Sequence, residues 1–552
     1  MTKVPLKGRN KQYIYKNKNI KPLEGISLHS LKVKLHTMAV RILWADDEID
    51  LLKPHIMFLE QKNCKVDTIN NGSEAIDMVK ENPYDLIFLD ENMPGISGLE
   101  TLTEIKRIRP NLPIIMITKS EEESIMESAI GKNISDYLIK PVNPNQILLA
   151  VKKNTDQSRL ISEETTSGYQ QEFRNIGMKL MGNLDISDWK ELNEQLVYWE
   201  LQMDKSHDKS MMEIFESQKK EANQLFARFI EKNYLDWLNG TSDDSPVLSH
   251  TLFSKKIAPS IKEKPTFLLV IDNFRYDQWK VLKPHFSELF DVTEEETYFS
   301  ILPTATQYAR NSIFAGLMPS EIRKRFPSKW IEEEDEGGKN NFEEDFLIDQ
   351  MKRMGLGLKT SYTKITNNQK GKKLVDNFSD LLKNDFNVLV YNFVDMLSHA
   401  RTDMEVIKEL ADDNSAYRSI TKSWYKHSPL QEIVQKIHDN NLQLIITTDH
   451  GMIKVANPVK VIGDKNVNTN LRYKLGKNMS YNTKEVFEII NPDDAFLPKI
   501  NQNTRYIFAK EDTFLAYPNN FNYYVNFYKD TFQHGGISME EVIIPILKLN
   551  PK

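Results

Sequence analysis

Three apolar segments in the second half of the chain each run into an aspartate, and histidines follow at short spacing. Phe267–Ile271 ends at Asp272. Val388–Val394 ends at Asp395, with His399 four residues on. Leu444–Thr448 ends at Asp449-His450, and His534 follows near the end of the chain. A parallel sheet exposes its chemistry at the carboxyl ends of its strands. Carboxylates and imidazoles gathered on one such edge are the ligands a divalent metal takes. Thr306 adds a hydroxyl, within Leu302-Pro303-Thr304-Ala305-Thr306-Gln307-Tyr308-Ala309-Arg310. At a helix start it gains from the positive end of the dipole, and metal contact would make it a nucleophile. Arg310 lies four residues on, on the same helix face, where it can pair a phosphate oxygen. Seven N/O ligands (Asp272, Thr306, Asp395, His399, Asp449, His450 and His534) suit two zinc-like ions better than Mg2+ alone. Two such ions clamp the attacking and leaving oxygens of a phosphoryl transfer.

Taken singly, each residue has a plainer role. An Asp ending a strand caps a helix, a Thr in Pro-Thr-Ala-Thr is an N-cap, and His534 before Gly535-Gly536 marks a turn. The ordered set in one region is what favours a metal site. His250, His285, His427 and His438 lack that context and read as ordinary histidines.

A second set lies near the start. Asp46-Asp47, Asp90 and Thr118 close short apolar strands, and Lys140-Pro141 follows another. Clustered carboxylates bind Mg2+ through hard oxygens. The metal and Lys140 would neutralise a phosphoryl group carried by Asp90, and Thr118 would hydrogen-bond it.

The elements that must position these residues follow from the pattern. Strands at Arg41–Ala45, Cys64–Thr68, Leu86–Leu89, Ile114–Ile117 and Tyr137–Ile139 alternate with helical segments, which predicts a doubly wound parallel sheet over 38–155. Residues 156–240 are strand-poor and place Trp189, Leu192, Leu196 and Trp199, then Phe215 to Trp237, at helical spacing, which predicts a small helical bundle. Gly240–Pro246 breaks it. From 241 to 552 a second alternating α/β region predicts another doubly wound sheet. Its acidic stretch Glu332–Glu344 reads as a solvated loop. Residues 1–37 hold nine basic residues and one acid; this basic leader reads as an arm for nucleic acid or, the favoured reading, as a mis-assigned start with translation beginning at Met38.

Composition narrows the function classes. At 552 residues the chain exceeds one core. A net charge of -6, from 72 basic and 78 acidic residues, carries no global nucleic-acid signature. Cys64 is the one cysteine, so no internal disulfide forms, in keeping with a reducing cytoplasm. No apolar run approaches a membrane span, so no membrane insertion is expected.

The full set in 40–153, with Leu89-Asp90-Glu91-Asn92-Met93-Pro94-Gly95, resembles a response-regulator receiver domain. The resemblance implies that Asp90 is the phosphoacceptor. Asp47, Asp90 and the Asn92 carbonyl would hold Mg2+, with Asp46 helping through water. Thr118, Lys140 and Tyr137 match the switch threonine, the lysine and the aromatic switch position. The later set resembles the alkaline phosphatase superfamily, and more closely its PglZ branch. That implies one zinc on Asp272, Thr306, Asp449 and His450, a second on Asp395, His399 and His534, and Thr306 as the transiently phosphorylated nucleophile.

The order of receiver, helical middle and this domain is similar to the PorX family of Bacteroidetes regulators. That implies a two-zinc phosphodiesterase acting on cyclic or linear oligonucleotides, a sensor histidine kinase partner, and control of type IX secretion. A homodimer on phosphorylation and a transcription factor of sigma type are further expected partners. A phosphomonoesterase, or an output domain that binds a protein partner, are the alternatives. A DNA-binding regulator is disfavoured, because the helical middle lacks a compact basic recognition helix. For a nucleotide, stacking residues are available in Phe274, Tyr276, Tyr308 and Tyr473, with Arg275 and Arg472 as cations. Phe521-Asn522-Tyr523-Tyr524 reads instead as an aromatic strand packed into a core.

Overall fold

The computed structural model describes residues 40–119, 134–206, 209–242, 244–333, 335, 337–392, 413–463, 470–518 and 521–552. The chain divides into two units, Met1–Arg159 and Leu160–Lys552.

In the first unit, β1 (Val40–Ala45), β2 (Cys64–Ile69), β3 (Leu86–Asp90), β4 (Ile114–Thr118) and β5 (Asp136–Ile139) form one parallel sheet in the order β2-β1-β3-β4-β5. Helices α1 (Lys53–Glu60), α2 (Gly72–Glu81) and α3 (Gly98–Ile108) connect the strands. The alternation of side chains along each strand explains the two-sided core. Leu43, Ala45, Ile87, Leu89 and Met116 pack on one face, and Ile42, Trp44, Phe88, Ile115 and Ile117 on the other. A sheet buried on both faces needs such continuous apolar strands. Helix α3 is fixed by a capping box between Ser97 and Glu100. A Cβ on Gly98 would stand 2.3 Å from the Asp90 carbonyl oxygen, so only glycine lets α3 begin there.

Helix α4 (Pro144–Leu180) carries the chain past Arg159, and α5 (Ile186–Ser206) and α6 (Lys209–Asn239) follow. The helical middle is therefore as the periodicity predicts, and α6 ends at the Gly240 break. Trp189, Leu192, Phe215, Phe226 and Ile230 are buried in a core that continues into Leu268, Val270 and Phe299 of the second sheet.

That sheet is built from β6 (Thr266–Ile271), β7 (Phe290–Phe299), β8 (Thr360–Ile365), β9 (Phe386–Tyr391), β10 (Gln443–Thr447) and β11 (Ile543–Pro551). Its order is β7-β11-β10-β6-β9-β8. Strands β10, β6, β9 and β8 are parallel, while β11 and β7 run antiparallel at one edge. The doubly wound reading holds for the parallel part, and the mixed edge refines it. The C-terminal strand β11 returns beside β10, which lets the last residues of the chain close the core. Register decides the chemistry. Thr447 pairs with Val270 and Tyr391 with Ile271, so Asp449 and Asp272 leave adjacent strands at the same level.

Candidate metal centre and phosphoacceptor site

In the first unit the strand ends converge as the pattern predicts. Asp46 and Asp90 are buried at 0% and 3% exposure, Thr118 is buried beside them, and Asp47 is exposed. Asp46, Asp47 and Asp90 each offer an oxygen within 4.8 Å of the others. Lys140 Nζ lies 2.8 Å from Asp46 Oδ2 and 3.3 Å from Asp90 Oδ2. Asp90 Oδ1 has no hydrogen-bond partner among the described residues. Burial pushes the Asp90 carboxyl up to about 6, the nearby Lys140 opposing the rise and Asp46 adding to it. A buried, electron-rich pocket with one cation and one open oxygen fits a hard divalent ion and a phosphoryl group. Tyr137 is half-buried against the core face that holds Leu89 and Met116. Asn92 is exposed on the loop after β3.

In the second unit, Asp272, Asp449 and His450 each place a ligand atom within 4.8 Å of the others, and all three are buried. Asp449 is fixed through Oδ1, which accepts the backbone N–H groups of Asn273 (3.2 Å) and His450 (3.1 Å). Its Oδ2 lies 3.8 Å from His450 Nε2. His450 Nδ1 is 3.0 Å from the Gly451 carbonyl. A carbonyl only accepts, so Nδ1 carries the proton and the lone pair that could coordinate an ion lies on Nε2. Gly451 is required behind it, because a Cβ there would stand 2.0 Å from the Glu540 carbonyl oxygen.

Thr306 opens helix α7 (Thr306–Ala315), and Ala305 takes the N-cap position, so the Thr306 hydroxyl is not spent on capping. Its Oγ1 lies 3.1 Å from His450 Nε2 and 3.4 Å from Asp272 Oδ1. The His534 ring stacks on His450 with centroids 4.3 Å apart, and its Nδ1 lies 3.2 Å from the Thr304 carbonyl. The same tautomer argument puts the lone pair of His534 on Nε2. The two imidazoles thus stand side by side. Asp395 and His399 lie outside the described residues.

Arg310 sits deeper than a substrate contact requires. It is 1% exposed. Its Nη1 lies 2.6 Å from Asp272 Oδ2 and 3.6 Å from Asp449 Oδ2, and its Nε donates to Glu343 Oε1 at 2.5 Å. Burial pushes the Asp272 carboxyl up to about 7, with Arg310 opposing the rise. The donor set of two carboxylates, two imidazoles and a hydroxyl fits zinc-like ions, whose binding would replace the proton that burial favours on Asp272.

Three expectations are corrected here. The acidic stretch Glu332–Glu344 is not simply a solvated loop: Glu343 is 1% exposed and Asn340 9%. Asn340 Nδ2 donates to the Thr306 carbonyl at 3.0 Å, so this segment lies directly behind Thr306. Phe274, Tyr276, Tyr308 and Tyr473 are all buried, as are Arg275 and Arg472, and none is open to a nucleobase. The run read as a core strand is instead helix α10 (Phe521–Tyr528), reached after α8 (Asn414–His427) and α9 (Pro429–Asp439). Phe521, Val525 and Tyr528 pack inward, while Tyr523 is 65% exposed, and Tyr524 and Phe527 are each 39% exposed. Spacing of i, i+4 and i+7 for the inward residues was the helical signal in that run.

Comparison with known proteins agrees with this layout. Residues 42–152 match the family model for the response regulator receiver domain, 159–238 that for the PorX response regulator linker domain, and 252–549 that for the BREX system PglZ alkaline phosphatase-like domain. The transcriptional regulatory protein ResD of Bacillus subtilis is 38% identical over 116 residues, which are 21% of this chain and 48% of ResD. SrrA of Staphylococcus aureus is 28% identical over 159 residues, 28% of this chain and 66% of SrrA. The chain thus spans about half the length of ResD and 66% of SrrA. Among solved structures, the response regulator TrrA of Thermotoga maritima is 33% identical, covering 21% of this chain and 97% of TrrA, with a TM-score of 0.20.

Proposed function

Because the chain belongs to the family of PglZ alkaline phosphatase-like domains, carried behind a receiver and a PorX-type linker, we propose that it is a two-component regulator with a metal-dependent phosphodiesterase output. The observation that carries this reading is the Thr306 hydroxyl, set at a helix start between His450 Nε2 and Asp272 Oδ1. Zinc, when bound, supplies the Lewis acid that polarises the phosphoryl oxygens. Asp272, Asp449, His450 and Thr306 would hold one ion, and His534 would serve a second with Asp395 and His399. The residues do the rest. Thr306 Oγ attacks phosphorus as the bond from phosphorus to one ester oxygen breaks; the Thr306 proton passes to solvent, the leaving alkoxide takes one up as an alcohol, and the helix dipole of α7 favours the Thr306 alkoxide. Water then breaks the bond between Thr306 Oγ and phosphorus, which restores the hydroxyl and releases the phosphate monoester.

The substrate class proposed is a cyclic or linear oligonucleotide, and the circuit is the type IX secretion control that PorX-type order suggests. Zinc-loaded protein is expected to hydrolyse a chromogenic phosphodiester faster than the matching monoester. Monoester preference would make it a phosphatase, and inactivity on both would favour a protein-binding output. Of the aromatic residues considered for nucleobases, Tyr523 and Tyr524 are the exposed ones. Stacking contributes about 1–3 kcal/mol per base. Tyr523→Ala with Tyr524→Ala is therefore expected to raise KM for an oligonucleotide by roughly tenfold or more, and to leave KM for the small chromogenic diester unchanged. Equal effects on both substrates would remove α10 from substrate binding.

The input proposed is a sensor histidine kinase that phosphorylates Asp90 with Mg2+ bound, driving a homodimer; a sigma-type factor is a further proposed partner. If phosphorylated protein and Asp90→Ala protein show the same mass in solution and the same turnover, this coupling is wrong. Proton competition gives a further expectation. A carboxyl raised from 3.8 to about 6 binds its proton more tightly folded than unfolded. That stabilisation is complete below pH 3.8 and is lost as pH rises through about 6. Mg2+ needs the ionised form. Its affinity, read by calorimetry, is expected to fall by up to about tenfold per pH unit below that value. Constant affinity from pH 7 to 5 would sink this account. Among the described residues no helix is long and apolar enough to cross a membrane.

A further inference from the structure

The two proposed ligand carboxylates among the described residues of the second unit, Asp272 and Asp449, each have one oxygen held by the protein. For Asp449 the backbone N–H groups do this at Oδ1. For Asp272 the guanidinium of Arg310 does it, at 2.6 Å from Oδ2, while Oδ1 faces Thr306. We infer that Arg310 is a positioning residue for the metal ligands, aimed by Glu343, and not a phosphate contact. The inference rests on reading this site as a metal centre.

The geometry forms a closed chain of contacts. A guanidinium is planar and permanently charged, so the plane of Arg310 sets which Asp272 oxygen is left for an ion. Glu343 sets that plane by accepting from Arg310 Nε at 2.5 Å. Glu343 is itself held by the Tyr362 hydroxyl and by Lys364 Nζ at 3.2 Å. Lys364 also donates to the Asn340 carbonyl at 2.9 Å. Asn340 Nδ2 in turn donates to the Thr306 carbonyl and to Asn311 Oδ1, each at 3.0 Å. The segment 340–343 therefore fixes the nucleophile's backbone and, through Arg310, the ligand carboxylate. Both Arg310 and Glu343 are 1% exposed. A buried ion that lost its partner would be strongly penalised, which keeps Arg310 on Asp272 and Glu343. A phosphate contact would have to draw the guanidinium away from both.

The test uses the full chain, stripped of metal and titrated with zinc against a competing chelator, for Arg310→Lys and Glu343→Gln. Residues that orient metal ligands typically cost 10–100-fold in affinity when changed. Both variants are expected to weaken zinc binding by about that factor, and Glu343→Asp to recover part of the loss. Calorimetric binding of inorganic phosphate at saturating zinc is expected to stay within about twofold of the parent, since a residue that does not touch the anion leaves its affinity alone. Unchanged zinc affinity in a folded variant, or a tenfold loss of phosphate binding at saturating zinc, would overturn the assignment. Should Arg310→Lys not fold, Glu343→Gln keeps the size and an acceptor and carries the test alone. Neither readout needs turnover, so an inactive protein would refute the phosphodiesterase reading without touching this one.

Discussion

Thr306→Ala is expected to lower kcat on a phosphodiester by on the order of 10^3-fold or more while the fold survives. In the proposed mechanism the hydroxyl is the attacking group. It sits 3.1 Å from His450 Nε2 and 3.4 Å from Asp272 Oδ1, at the first turn of a ten-residue helix. A loss of that size corresponds to about 4 kcal/mol of transition-state stabilisation. The stability cost is far smaller, because a partly buried hydroxyl contributes about 1 kcal/mol through its hydrogen bonds. The two effects separate experimentally: kcat from steady-state hydrolysis with saturating zinc, and the fold from circular dichroism and melting. Zinc affinity reports whether the hydroxyl also ligates. A folded Thr306→Ala protein that keeps its turnover within about tenfold would mean that solvent, and not Thr306, attacks phosphorus. The chemistry would then be a direct hydrolysis with no phosphorylated enzyme.

What made this site legible in the sequence was the end of each strand. A strand buried on both faces must be apolar along its whole length, as Phe267–Ile271 and Leu444–Ile446 are. An aspartate that stops such a run stands at the sheet edge where parallel strands collect their chemistry. The same logic found Asp46, Asp90 and Thr118. What stayed hidden depends on contacts between distant segments. Glu343 sits in an acidic stretch that by composition looks solvated, and it is buried because Arg310, Tyr362 and Lys364 converge on it. Nothing local marks that convergence. The tyrosines near Thr306 show the converse. Tyr308 and Tyr473 have the composition of a base-binding surface, yet their rings are packed edge to face and their hydroxyls are tied to Glu333. Amphipathic residues of this kind serve core and surface equally well, so burial alone decides their role.

The largest stability effect is expected at Arg418, which joins the helical middle to the sheet domain. From α8 its Nη1 reaches Glu200 Oε1 at 2.6 Å and Asp277 Oδ2 at 2.7 Å, and its Nη2 reaches Asp204 Oδ2 at 2.7 Å. Glu200 and Asp204 belong to α5, whereas Asp277 lies in the helix after β6. Lys219 of α6 adds ion pairs to Glu200 at 2.7 Å and to Glu540 at 3.0 Å, and the Glu540 carbonyl backs Gly451, next to the proposed ligand His450. Arg418 is 3% exposed, so its charge has no solvent to return to. Removing one partner of a buried ion network leaves the others uncompensated, at a cost of about 3–5 kcal/mol. Arg418→Met, close in length and uncharged, is therefore expected to destabilise the second unit by about that amount, measured by urea unfolding. Asp277 keeps Arg275 and Glu200 keeps Lys219. Among the described residues Asp204 has no second cation within ion-pair distance, and burial pushes its carboxyl up. Adding Asp204→Asn to Arg418→Met is thus expected to recover part of the loss, because it removes the carboxylate left most exposed to the penalty. A single-variant loss under about 1 kcal/mol, the range of a surface ion pair, would mean that water enters the cluster and that hydrophobic packing alone joins the helices to the second sheet.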